Sequence, residues 1–289
     1  VTSPRPRRAD FHTHSTASDG TLAPADLVYQ ASRRGLTILA LTDHDTTLGL
    51  APAMAAAADL GIRLIPGIEL STDVEHGEIH ILGYSIDPAD ATLQTTLATL
   101  RQARESRIDR MVAQLRSIGI TLNRDAIQPN TPGGSIGRPH VARAMVDAGY
   151  VESVPEAFAR FIGNGRPGYV PSQRLTPAEA VRLIVAAGGL AFYAHPLTSP
   201  LFPGNLDDLI AAGLAGLEAY YGEYTPSQCK RLAAIGRAHG LLLSGGSDYH
   251  GDQLKHGRDL GEVDIPERVT QALLAALAAL AARTRHGLS

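Results

Sequence analysis

The segment Asp10-Phe11-His12-Thr13-His14, followed by Ser18-Asp19-Gly20, begins a series of side chains suited to holding metal. In a strand, side chains two apart leave the same face, so His12 and His14 would stand together as two imidazole donors. One ion needs three or more protein ligands, and the rest of the chain offers them. Asp43 and His44, Glu69, His195, and Asp248 with His250 fall where strands are expected to end; His80 lies near the start of its strand and Asp19 in the first loop. Taken alone, any one of these histidines reads more readily as a core or surface residue. Together His12, His14, His44, His80, His195, His250, Asp19, Glu69 and Asp248 outweigh that reading, because gathering such groups at one rim without cations would strain their ionisation. Nitrogen and oxygen donors without thiolate suit Mn²⁺, Zn²⁺ or Fe²⁺ better than a structural zinc site. These ligands are too many for one ion. Two or three ions ~3.5–4 Å apart, with a carboxylate such as Glu69 as bridge, would use them all and acidify a bridging water. The predicted chemistry is metal-dependent hydrolysis.

The elements that must position these groups follow a strand–helix rhythm. Apolar runs at 9–14, 37–42 and 63–70 alternate with helical patterns at 23–34 and 48–60, the second closed by Gly61, and Pro66 and Gly67 interrupt the third run. A fourth strand is expected at 78–86 after a His76-Gly77 turn. The pattern is then helical over 91–119 and irregular to about 171, with Pro129, Pro132, Gly133, Gly134, Gly137 and Pro139 breaking a helix-rich stretch. The rhythm returns with a helix at 177–187, strands at 190–194 and 216–220, a helix at 226–239, a strand at 241–245 and an Ala/Leu-rich outer helix at 266–283. The expectation is an α/β fold of about seven strand–helix units that curl into a barrel. Residues 1–94 and 173–289 would form it, with 95–172 an inserted helix-rich subdomain. Barrel enzymes place their chemistry at the C-terminal ends of the strands, where the ligands cluster.

With 289 residues, 44% of them hydrophobic, the chain can bury a large core. A net charge of −3 gives no global pull toward nucleic acid, so a small molecule or a chain end is the expected substrate, and DNA is not. The single cysteine, Cys229, excludes an internal disulfide and reads as a helical thiol. No apolar run approaches the ~18 residues of a membrane span. The Arg-rich start, Pro4-Arg5-Pro6-Arg7-Arg8, has no hydrophobic stretch behind it and reads as a solvated arm of a cytoplasmic protein.

Six separate motifs carry a family resemblance: Asp-Phe-His-Thr-His with Ser-Asp-Gly at 10–20, Leu-Thr-Asp-His-Asp at 41–45, Pro-Gly-Ile-Glu at 66–69, His80, Ala-His-Pro at 194–196, and Gly-Ser-Asp-Tyr-His at 246–250. By these the chain resembles the PHP family, named for polymerase and histidinol phosphatase domains, over nearly its whole length. The resemblance implies a distorted seven-stranded (β/α) barrel of the TIM-like kind and a trinuclear centre. Manganese is the first expectation, with zinc, iron or magnesium as alternatives. His12, His14, Glu69 and Asp248 would hold one ion; Glu69 would bridge to a second, bound by His80 and His195; Asp19, His44 and His250 would hold the third. Asp43 and Asp45 would order their loop.

Within the family the likeness is to small bacterial phosphatases acting on nucleoside 3′,5′-bisphosphates, whose relatives include the 5′→3′ exoribonuclease RNase AM. That likeness rests on the inserted segment. Arg138 and His140 match an Arg-x-His that grips phosphate, and Gly163–Val170 matches a second segment, with Arg166 where lysine is expected. It implies loss of the 3′-phosphate from adenosine 3′,5′-bisphosphate, and activity on short 5′-phosphorylated RNA ends. His140 or His195 would protonate the leaving oxygen, although a metal-bound His195 would be unavailable. Rival readings are a histidinol-phosphate or nucleotide 5′-phosphatase, a metal-dependent amidohydrolase, or a noncatalytic metal-stabilised module. Tyr220, Tyr221 and Tyr224 would either stack on a base or pack the rim.

Overall fold

The computed structural model describes residues 8–74, 77–128, 131–171, 175–199, 201–251 and 259–286. The arm from Pro4 to Arg7, His76 of the expected turn, Pro129 and the expected boundary at 172/173 lie outside the described residues.

Seven strands follow one another in chain order: β1 (Ala9–Asp10), β2 (Ile38–Leu41), β3 (Arg63–Val74), β4 (Gly77–Tyr84), β5 (Leu190–Tyr193), β6 (Leu214–Tyr221) and β7 (Leu242–Gly246). The ring closes beyond the short β1, where Phe11 N–H donates to Gly245 O at 3.2 Å and Asp248 N–H to His12 O at 2.9 Å. Asp10, which sequence reading left unassigned, ties this seam: its carboxylate accepts from Ser247 N–H, Ser247 Oγ and Gly261 N–H. The parallel direction favoured by the strand–helix rhythm is broken at one strand. β4 is antiparallel to both β3 and β5, because two residues between β3 and β4 suffice for a hairpin but not for a parallel crossover. β3 also runs on through Pro66 and Gly67 to Val74; Pro66 lacks an N–H, yet its carbonyl accepts the Ser85 N–H at 2.7 Å.

Helices cover the outside: α1 (Pro24–Arg33), α2 (Leu50–Leu60), α3 (Ala91–Ser117), α4 (Arg138–Asp147), α5 (Val154–Ala157) with a π-helical turn at Phe158–Ile162, α6 (Pro177–Ala186), α7 (Leu206–Ala211), α8 (Pro226–Ala238) and α9 (Glu267–His286). α6 and α8 begin alike, with Pro in the first turn and reciprocal capping boxes, Thr176 with Glu179 and Thr225 with Gln228. The short α7 has too few turns to announce itself in sequence.

Strand periodicity divides the core. In β2, Leu39 and Leu41 join the layer under α1, α2 and α6, whereas Ile38 and Ala40 join Phe11, Leu82, Tyr84 and Phe192, together with Leu273, Leu274 and Leu277 of α9. A separate cluster of Ile108, Met111, Leu115, Ile136, Val141, Met145, Ile162 and Val170 lies within the expected insertion. α3 belongs to both: Leu93, Leu97 and Leu100 pack on the barrel, and from Ile108 onward the helix faces the second cluster. Among the described residues no helix is long and apolar enough to cross a membrane.

Candidate metal centre

His12 and His14 do not lie in a strand as expected, since β1 ends at Asp10. The chain stays extended, however, and Thr13 between them turns to β2, donating its hydroxyl to Ala40 O at 2.7 Å. Both histidine rings therefore point the other way, with centroids 5.1 Å apart and Nε2 atoms separated by 3.1 Å. His12 can lie so close to β7 only because residue 246 is glycine; a Cβ there would sit 2.4 Å from His12 Cβ. Opposite, Glu69 projects from β3 and His80 from β4, while His44 follows β2 and His195 follows β5. His195 and Asp248 have left-handed backbone, with φ of 28° and 52°, which turns the chain sharply at the strand ends.

Glu69 is the hub. Its Oε2 lies 3.1 Å from His12 Nε2, 3.1 Å from His14 Nε2 and 3.3 Å from His44 Nδ1, and its Oε1 lies 2.8 Å from His80 Nδ1 and 3.1 Å from His195 Nε2. Asp248 Oδ1 is 3.1 Å from His14 Nε2, and His250 Nε2 is 3.2 Å from Asp19 Oδ1. Among the described residues, three sets bring their donor atoms within 4.8 Å of one another: His12, His14, Glu69 and Asp248; His14, Asp19, His44 and His250; and His44, Glu69 and His80. The first reproduces an expected grouping. The second adds His14 to the expected Asp19, His44 and His250. In the third, His44 appears where His195 was expected, although His195 keeps its contact with Glu69.

The charge balance fits cations. Burial favours the neutral acid for Glu69 and Asp19, yet the surrounding imidazoles outweigh it and hold both carboxyls well below their usual range. Burial likewise opposes charge on His14 and His80, but their carboxylate neighbours raise them to about 10 and about 9; at His44 burial wins and the value falls to about 3. His14 Nδ1 is buried without a hydrogen-bond partner and stands 3.9 Å from Asp19 Oδ1. A divalent ion between them would satisfy that nitrogen, so the donor set suits the group the sequence implies.

Asp43 and Asp45 face elsewhere. Asp43 accepts from Ser15 N–H, Ser15 Oγ and Ser18 Oγ at 2.6–2.7 Å, and Asp45 from Ser71 N–H and the buried Arg104. Two residues of β6 also touch the centre: Glu218, which sequence reasoning missed, and Tyr221, expected only against a base or at the rim. Glu218 is fully buried and lies 3.0 Å from His12 Nδ1; Tyr221 donates its hydroxyl to Asp248 Oδ2 at 3.0 Å. A lone acidic residue in an apolar strand was the available signal for Glu218. Of the three tyrosines, Tyr221 is buried and packs on Tyr224, whose hydroxyl accepts the Leu197 N–H.

The segment between α3 and α6 roofs the centre. Arg138, at the start of α4, pairs with Glu78 of β4 at 2.7 Å and lies over the rings of Phe158 and Tyr169. It lines a small cavity of about 110 Å³ with His44, His80 and Arg104. A larger cavity of about 640 Å³ runs from Asp19, Asp248 and His250 to Phe158 and Val154, and carries Arg166 and Arg143. Arg143, also unread in the sequence, donates to the Asp19 carbonyl. His140 is buried and lines neither cavity; its Nδ1 accepts the Gly137 N–H at 3.1 Å, and burial lowers its pKa.

A family model described as the PHP domain matches residues 10–124. The chain is 38% identical over 263 residues to a 3′,5′-nucleoside bisphosphate phosphatase of Chromobacterium violaceum, covering 89% of this chain and 92% of that one. It is 36% identical over 247 residues to the 5′-3′ exoribonuclease Rnm of Escherichia coli, covering 83% and 84%. A solved structure from Bifidobacterium adolescentis, described as a candidate metal-dependent phosphoesterase, superposes with a TM-score of 0.85 at 34% identity, covering 94% of this chain and 97% of that one.

Proposed function

The chain belongs to the PHP family, and from that membership we propose a metal-dependent phosphoesterase that removes the 3′-phosphate of nucleoside 3′,5′-bisphosphates and trims short 5′-phosphorylated RNA from its 5′ end. The observation that carries this reading is the convergence of His12, His14, His44, His80 and His195 on the single carboxylate of Glu69, beneath cavities walled by Arg138, Arg143 and Arg166.

The ligand set is His12, His14, Asp19, His44, Glu69, His80, His195, Asp248 and His250, taking three divalent ions with manganese first. When bound, such ions neutralise phosphoryl oxygens and lower the pKa of coordinated water. The protein's own groups do the rest. Arg138, preset by Glu78 beside His80, meets the phosphoryl group with a planar fork of donors. Because His140 Nδ1 accepts from Gly137, its neutral ring carries the proton on Nε2, which supports a hydrogen-bond donor rather than an acid. His195 has both ring nitrogens engaged, one on Glu69 and one on Thr198, so neither histidine suits protonation of the leaving oxygen, and water supplies that proton. Water adds to phosphorus, the bond to the 3′-oxygen breaks, and a nucleoside 5′-phosphate and inorganic phosphate leave.

The second phosphate distinguishes this substrate from a mononucleotide. Arg143 and Arg166 in the larger cavity are the contacts proposed for it, with Phe158, Pro155 and Val154 against the base. The first nucleotide of a 5′-phosphorylated RNA presents the same pair of phosphate positions, which supports exonuclease activity on the same logic. We assign the insertion, 95–172, the role of substrate cap, and the protein to the cytoplasm.

The test is a panel of phosphate esters, an amide and short RNAs with Mn²⁺ supplied. The expected outcome is conversion of adenosine 3′,5′-bisphosphate to AMP, and faster digestion of 5′-phosphorylated than of 5′-hydroxyl RNA. Turnover of AMP, histidinol phosphate or the amide, with the bisphosphate untouched, overturns the reading.

A further inference from the structure

β6 presents two residues to the metal centre that an unbroken strand would send to opposite faces. Glu218 and Tyr221 are three positions apart, an odd separation, so strict alternation would place only one of them inward. A register shift lies between them: Glu218 pairs with Ser244 and Tyr220 with Gly245, so two residues of β6 advance against one of β7. The extra residue restores the inward direction for Tyr221. Gly245 opposite makes room, since a Cβ there would sit 2.5 Å from both Cβ and O of Tyr220.

The two inward groups act on different atoms of one ligand set. Glu218 Oε1 lies 3.0 Å from His12 Nδ1, and its Oε2 accepts the His195 backbone N–H at 2.7 Å. With Nδ1–H donated to this carboxylate, the neutral ring of His12, the form a metal ligand needs, presents an unprotonated Nε2, the atom that faces Glu69 Oε2 at 3.1 Å and Asp248 Oδ1 at 3.4 Å. Tyr221 donates to Asp248 Oδ2, which leaves Oδ1 turned toward His12 and His14, and its ring packs against His195 with centroids 5.4 Å apart.

We infer that the β6 bulge installs Glu218 and Tyr221 as a pair of positioning residues that set the tautomer of His12 and the orientation of Asp248 for the ion held by His12, His14, Glu69 and Asp248. The inference rests on the metal reading given above.

Glu218→Gln separates it from a general structural role. The His195 N–H requires the amide oxygen, so the amide NH₂ faces His12 Nδ1 and forces the ring proton onto Nε2, which then cannot ligate. Tyr221→Phe removes one hydroxyl and nothing else. Mn²⁺ binding to chelator-stripped protein, measured by calorimetry with metal analysis, is expected to weaken roughly 10–100-fold in Glu218→Gln, and less in Tyr221→Phe. Melting temperatures of the stripped proteins accompany the titration. Wild-type Mn²⁺ affinity in Tyr221→Phe together with wild-type affinity in Glu218→Gln, or with failure of Glu218→Gln to fold, overturns the inference; so does a lowered melting temperature of the stripped variants with affinity unchanged. If the unmutated protein itself takes up no Mn²⁺, the metal reading falls, and that result is separable from failure of the variants alone.

Discussion

The barrel rim and the roof above it hold their functional side chains by different means. On the rim, Glu69, His12 and His14 are entirely buried, emerge from or beside paired strands, and are braced by several neighbours each. On the roof, Arg138 is anchored chiefly by one carboxylate, Glu78, and its helix packs in a hydrophobic cluster separate from those of the barrel. Arg104 is one tie between the two: from α3 it bonds Asp45 beside His44, Ser71 two residues beyond Glu69, and Ile136 O two residues before Arg138. A rim so braced can fix charges against their mutual repulsion and desolvation, whereas the roof, with a core of its own, meets the rim through individual side-chain bonds. Under the function proposed above, metal chemistry falls to the sheet and substrate choice to the insertion.

The largest test of this division is Glu69→Gln. Losing the shared carboxylate is expected to lower kcat/KM by more than about a thousandfold, exceeding the ~10²–10³ cost of deleting a single transition-state donor, and to reduce bound metal. Full metal content with activity retained would remove Glu69 from the centre. Arg138→Ala probes the roof, with an expected loss of about 1.5–3 kcal/mol, or roughly ten- to hundredfold in kcat/KM, and metal content unchanged by elemental analysis. Metal lost from that variant would erase the distinction between the two regions. The smallest effect is on pH. Burial lowers the His140 pKa below 6.5, so its neutral folded form carries no penalty above that pH, and stability declines as pH falls below it because the unfolded chain takes up the proton first. Denaturant unfolding of chelated wild type and His140→Gln should therefore diverge between pH 7.5 and 5, with the wild type losing more, at no more than about 1.4 kcal/mol per pH unit. Parallel curves would show His140 to be solvated in the folded state.

Much of the rim was legible because the chemistry is concentrated in types and places: histidines and acids directly after apolar runs. Sequence reading found the strands and expected a turn before 78–86, but it did not give the antiparallel direction of β4, which is fixed by pairing between strands and not by the pattern within one. Glu218 was hidden because a strand that contains it reads as an ordinary apolar run, and Tyr221 was legible only as a base or rim tyrosine because its inward direction depends on a bulge that spacing alone does not reveal. Arg138 and His140 were legible as a motif, but the pairing of Arg138 with Glu78, remote in sequence, was not.

The hydrogen bond from Asp248 N–H to His12 O joins residues from opposite ends of the described chain. During synthesis on a ribosome, the first pair of imidazoles therefore emerges long before the aspartate that completes their set. The donor set of His12, His14, Glu69 and Asp248 is therefore complete only once nearly all of the described chain has been made.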